Sequence, residues 1–147
     1  MANRDETRLS ALVGRWQTKG WTKATAETPA ARIDAEDIYE WLPGGWALLH
    51  RVDARVGEEH VEGAEIIGWD PGRGEYVTQY FGSDGPSSYI ANLIEEDGAL
   101  VWSMRSRTER FTGRFTHEGN TIVGHWELLD EHENWRPWME ITLTKQP

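Results

Sequence analysis

The residues able to do chemistry in this sequence are few, and they sit in strand-like surroundings. Histidine, which changes charge near neutral pH, occurs at positions 50, 60, 117, 125 and 132. No two of these share the spacing of a metal-ligand pair, so no metal site is expected. His60, His117 and His132 fall beside turns or among acidic residues, as solvated side chains do. His50 differs. Alternation groups it with Trp46, Leu48, Val52, Ala54 and Val56 on one face, against Arg51, Asp53 and Arg55 on the other. An inward histidine among apolar neighbours either satisfies one hydrogen bond, contacts a ligand or shuttles a proton.

Among the carboxylates, Glu40, Asp53 and Glu65 lie within otherwise apolar strands. Glu40 shares a face with Ile38 and Leu42. A carboxylate buried there must pair, for instance with Arg51 or Arg55, or be neutralised by desolvation and become suited to general acid or base work. Glu65 is inward only if Val61, Gly63, Ile67 and Trp69 form its inner face. The opposite register brings in Ala64 and Ile66, and periodicity leaves both open. The candidate catalytic residues are therefore His50, Glu40 and Glu65. Hydroxyl nucleophiles are poorly supported: there is no Gly-x-Ser-x-Gly elbow, and Gly72-Arg73-Gly74 reads as a hairpin turn rather than a phosphate loop.

Aromatic residues supply the second signal. Nine tryptophans accompany four Tyr and three Phe. Such rings either pack a core or wall a pocket, and the two uses are compatible. Trp46, Tyr80, Trp102, Phe111, Trp126 and Trp138 are the wall candidates, and His125 is a further ligand-binding candidate. On 121–129 the apolar face of Ile122, Gly124, Trp126 and Leu128 would nevertheless leave His125 and Glu127 outside.

The elements that must position these residues are almost all strands. Turn residues recur every eight to twelve positions after Arg15, as in an antiparallel sandwich or barrel. Ten strands are predicted: 15–23, 35–42, 46–56, 59–69, 75–82, 87–95, 99–106, 109–117, 121–129 and 138–145. Pro43-Gly44-Gly45, residues 70–74, residues 83–86, Asp97-Gly98 and residues 118–120 carry the turn chemistry that pairs sequential neighbours. Two longer stretches, 24–34 and 130–137, read as loops at a barrel mouth. A short helix over Asp5 to Val13, stopped at Gly14, could plug one end.

At 147 residues the chain fits one domain with a real core, and it has no cysteine. That excludes disulfides and thiolate chemistry and favours the cytosol. The N-terminal stretch MANRDETRLS is charged where a secretory signal is apolar, and no apolar run is long enough for a membrane helix. A net charge of −10, with scattered basic residues, argues against nucleic acid or an anionic membrane as partner.

Three stretches go beyond pattern: IYEWLPGGWALLHRVD at 38–53 with EIIGWD at 65–70, RFTGRF at 110–115 with Gly119 to Ile122, and PWMEITLTK at 137–145. They resemble an uncharacterised bacterial family, domain of unknown function 1579, grouped with the calycin-like barrels that include lipocalins, fatty-acid-binding proteins and nitrobindin-type haem proteins. Gly14-x-Trp16 likewise looks like the opening of a calycin first strand, where the ring closes the barrel base. The resemblance implies an all-β, up-and-down barrel of about ten strands that holds a small ligand. It leaves three functional classes open: a carrier of an apolar or aromatic molecule; an enzyme (cyclase, isomerase or hydrolase) using His50 and an interior carboxylate; and an interaction module with a homodimer face. Haem bound through His50 or His125 is a further alternative.

Overall fold

The computed structural model describes residues 8–147. Ten strands run in chain order: β1 Gly14–Thr22, β2 Arg32–Trp41, β3 Ala47–Val56, β4 Glu59–Asp70, β5 Glu75–Gly82, β6 Gly85–Glu96, β7 Ala99–Arg105, β8 Glu109–Thr116, β9 Thr121–Leu129 and β10 Trp135–Lys145. Each pairs antiparallel with its neighbours in sequence, and β1 pairs with β10, from Trp16 opposite Lys145 to Thr22 opposite Met139. The result is a closed barrel with no free sheet edge, the arrangement that short turns between alternating strands dictate.

Among the expected boundaries that change, two are instructive. The expected helix over Asp5 to Val13 lies partly outside the described residues; its described part is one 3-10 turn, Leu9–Leu12. The expected loop 130–137 is shorter, because β10 begins at Trp135 and takes Pro137 into a bulge between Pro137 and Met139. A bulge is where a strand tolerates a proline that cannot donate to the ladder.

The core occupies one end of the barrel. Leu9, Leu12 and Trp16 are almost wholly buried. The Trp16 indole N–H donates to the Leu12 carbonyl at 2.8 Å, and its ring meets Phe115 edge-on at 6.4 Å. The Lys145 ammonium stands 5.0 Å from the Trp16 ring centroid and covers it from outside. The start of β1 therefore seals this end, and the opposite end is bordered by the loop 23–31 and the turns after β3, β5, β7 and β9.

Above the seal the barrel is hollow. Tyr80 lies over the paired glycines Gly63 and Gly82, and Phe111 over the paired Gly113 and Gly124. A Cβ at Gly63 or Gly82 would collide with the Tyr80 ring; one at Gly113 or Gly124 would lie 2.8 or 2.6 Å from the Phe111 ring. Inward glycines thus let two large rings lie flat on the wall instead of projecting into the lumen. No helix among the described residues is long and apolar enough to cross a membrane.

Candidate functional site

The centre of the site is a row of side chains set by strand register. Tyr39 on β2 stands opposite His50 on β3, His50 opposite Glu65 on β4, and Glu65 opposite Tyr80 on β5. Directly opposed residues have Cβ atoms roughly 4.5–5.5 Å apart, close enough for their side chains to interact. The inward set of β4 is the one containing Glu65, which is 4% exposed, whereas Ile66 is 45% exposed on the outside. Asp37, two residues before Tyr39 on the same face, joins the row diagonally.

His50 is held from both sides. Its Nδ1–H donates to Glu65 Oε1 at 2.9 Å and its Nε2–H to Asp37 Oδ1 at 2.7 Å. Thr18 Oγ1 in turn donates to Asp37 Oδ2 at 2.5 Å. The Tyr39 ring stacks on the imidazole, with centroids 4.0 Å apart and planes 8° from parallel. Burial alone would push the His50 pKa down, but the hydrogen bonds to Asp37 and Glu65, together with their charges, outweigh it and raise the pKa to about 9. At neutral pH the residue is an imidazolium between two carboxylates. Burial, reinforced by the charges of Asp37 and Glu65, holds the Tyr39 phenol well above its ordinary pKa, so it stays neutral.

This cluster faces a cavity of about 470 Å³ that extends from Leu12 at the sealed end to Glu59 and Asp84 at the opposite rim. Tyr80, Tyr89, Trp102, Phe111, Trp126 and Trp138 supply much of its wall. Trp126 is the hub of the upper wall, with ring centroids 5.0 Å from Phe111, 5.7 Å from Tyr89 and 5.8 Å from Trp138. Near the rim, Tyr80 Oη donates to Asp84 at 2.7 Å and Tyr89 Oη to Glu109 at 3.1 Å. A second hollow, of about 580 Å³, lies by the turns at Gly98 and His117 to Asn120 and contains none of the buried charged residues.

Of the residues singled out from sequence, His50, Glu65, Tyr80, Trp102, Phe111, Trp126 and Trp138 border the cavity. Three others do not. Glu40 faces outward and receives a 2.5 Å hydrogen bond from Arg51, because the inner face of β2 is Ile33, Ala35, Asp37 and Tyr39. Trp46 is 60% exposed: it belongs to the turn before β3, where positive φ at Gly44 and Gly45 breaks the alternation assumed for it. His125 points out of β9, 3.7 Å from Glu140. Haem does not fit the histidines present. Both His50 nitrogens are engaged by carboxylates, His125 is outside, and His60, His117 and His132 are exposed. Asp37, Tyr39 and Thr18 were not singled out, although Asp37 and Tyr39 share the parity of Ile33 and Ala35.

The family model for proteins of unknown function, DUF1579, matches residues 3–145. The chain belongs to this family. No curated protein matches the sequence of this DUF1579 member. Among solved structures its fold is similar to Rv2717c from M. tuberculosis, with a TM-score of 0.79 at 12% identity over 100% of both chains. It is also similar to the S-type phycobiliprotein lyase CPES from Guillardia theta, with a TM-score of 0.62 at 8% identity over 99% of each chain. These likenesses establish that the DUF1579 member shares its overall fold with both.

Proposed function

We propose that the protein binds one small apolar or aromatic molecule inside its barrel, beside the buried Asp37–His50–Glu65 cluster. The observation that carries this reading is the cavity itself: about 470 Å³, walled by aromatic rings and furnished with one buried charged cluster. That combination of apolar wall and a few fixed polar groups is the usual construction of a small-molecule site. A similar fold in a phycobiliprotein lyase is consistent with it.

The cluster is better suited to holding than to proton transfer. A general base must be unprotonated at working pH, and the His50 pKa of about 9 leaves it charged. Both of its protons are already directed at carboxylates. His50 is accordingly assigned as a fixed donor array that orients Asp37 and Glu65.

The test is titration of the protein with Nile red, a neutral apolar dye, alongside an Ala54→Phe variant. Ala54 is buried, borders the cavity and stands opposite Ala35. Wild type should bind one dye per chain, and the variant, folded by circular dichroism, should bind at least tenfold more weakly. Equal binding by the two would place the dye elsewhere and overturn the assignment.

A further inference from the structure

The charges around the cavity are lopsided. Asp37, Glu59, Glu65, Asp84 and Glu109 border it, and among the described residues His50 is the one basic residue that does, with no lysine or arginine taking part. Asp37 and Glu65 already share the His50 imidazolium. Glu59, Asp84 and Glu109 have no basic partner among the described residues: Asp84 and Glu109 accept hydrogen bonds from the neutral phenols of Tyr80 and Tyr89. Three arginines of the neighbouring strands pair with other carboxylates, Arg105 with Glu75, Arg110 with Glu127 and Arg136 with Asp130.

Glu59 begins β4, Asp84 lies in the turn after β5 and Glu109 begins β8, so all three stand at the same open end. Just inside them is the aromatic wall of Tyr89, Trp126 and Trp138. A carboxylate ring outside and electron-rich ring faces inside attract the same thing, a positive charge on an apolar body. Each cation–π contact is worth roughly two- to thirtyfold in affinity, and an anion entering would meet repulsion at the rim, while the cation within, His50, is already shared by Asp37 and Glu65.

Building on the cavity as a ligand site, we infer that its occupant is a hydrophobic organic cation: an aromatic or aliphatic amine whose apolar body fills the lumen and whose ammonium group rests at the rim among Glu109, Asp84 and Glu59. The ammonium lies at the rim rather than at the cluster because Asp37 and Glu65 already have a cation between them.

Three probes of one skeleton decide it: naphthylethylamine, uncharged ethylnaphthalene and naphthylacetate, bound to the full chain at neutral pH and followed by equilibrium dialysis. The amine should bind at least about tenfold more tightly than ethylnaphthalene, with naphthylacetate weakest, and its advantage should shrink as salt is raised. Asp84→Asn combined with Glu109→Gln, its fold checked by circular dichroism, should bring the amine down to the affinity of ethylnaphthalene for the same variant; a retained tenfold advantage of the amine would overturn the rim assignment. Equal binding of all three by wild type, or tightest binding of the acetate, overturns the charge preference and leaves the cavity reading intact. Binding of none overturns both. The wild-type comparison stands without any variant.

Discussion

Raising the pH through the His50 titration should destabilise the protein in a way that a single substitution removes. The imidazole is held at about 9 in the folded chain against an ordinary value of 6.5. A folded-state pKa above the unfolded one means that the native state binds the proton more tightly. The stabilisation is then complete below the unfolded value and disappears as pH rises through the folded one. The gap corresponds to about 3 kcal/mol, lost progressively between pH 6.5 and about 9. His50→Gln retains a hydrogen-bonding side chain but cannot take the charge. Near pH 6 the variant should be less stable than wild type by about 3–5 kcal/mol, because two buried carboxylates lose their cation. Urea unfolding followed by tryptophan fluorescence, repeated across the pH range, measures both proteins. The advantage of wild type over the variant should shrink by about 3 kcal/mol as pH rises to about 9 and beyond. The other histidines are common to both chains and cancel in the difference. A flat difference, or one that widens with pH, would refute the reasoning; so would an NMR titration of the His50 ring with its midpoint in the ordinary imidazole range.

Further substitutions probe the surroundings. Thr18→Val removes the hydroxyl that donates to Asp37 and should cost about 1–3 kcal/mol in the same urea assay; no loss would mean that Asp37 does not depend on it. Thr78 is 5% exposed and its hydroxyl has no hydrogen-bond partner among the described residues, so Thr78→Val should be neutral or stabilising by about 1 kcal/mol. A cost above that size would contradict the unpartnered hydroxyl. Gly124→Ala places a methyl 2.6 Å from the Phe111 ring. The ring must swing inward, so Nile red affinity should fall while the fold survives at a cost of about 1–3 kcal/mol; unchanged affinity would show that the ring does not move into the lumen.

The strands were legible because their alternation and turns agree. Thr121–Leu129 and Glu75–Gly82 coincide with their expected limits, and each of the other strands shifts by one to three residues at one or both ends. His50 could be found because β3 alternates without ambiguity around it. Glu65 could not be placed from its own strand, since both faces of β4 carry apolar residues; only pairing with β3 and β5 selects one. On β2, acidic residues occupy both faces, with Asp34, Glu36 and Glu40 outside and Asp37 inside. Ile38 lies on the outer parity with Glu40, so the apolar residues of β2 fall on both faces and do not by themselves point to Asp37. Trp46 shows the limit of alternation itself, which stops where a turn begins. The rim of Glu59, Asp84 and Glu109 exists only once the barrel closes, because these residues are 50 positions apart in the chain from first to last.

The row from Tyr39 through His50 and Glu65 to Tyr80 also bears on how the sheet finds its alignment. A slip of one residue in β3 would turn His50 to solvent and bring Arg51, Asp53 and Arg55 inside. Asp37 and Glu65 would then be buried without the cation that neutralises them. Misaligned sheets are thus penalised at the centre of β2, β3 and β4, which matters most on β4, where hydrophobic matching alone discriminates poorly because apolar residues occur on both faces. The buried ion cluster acts as a proofreading device for strand pairing, and a chain deprived of it should fold less uniquely as well as less stably.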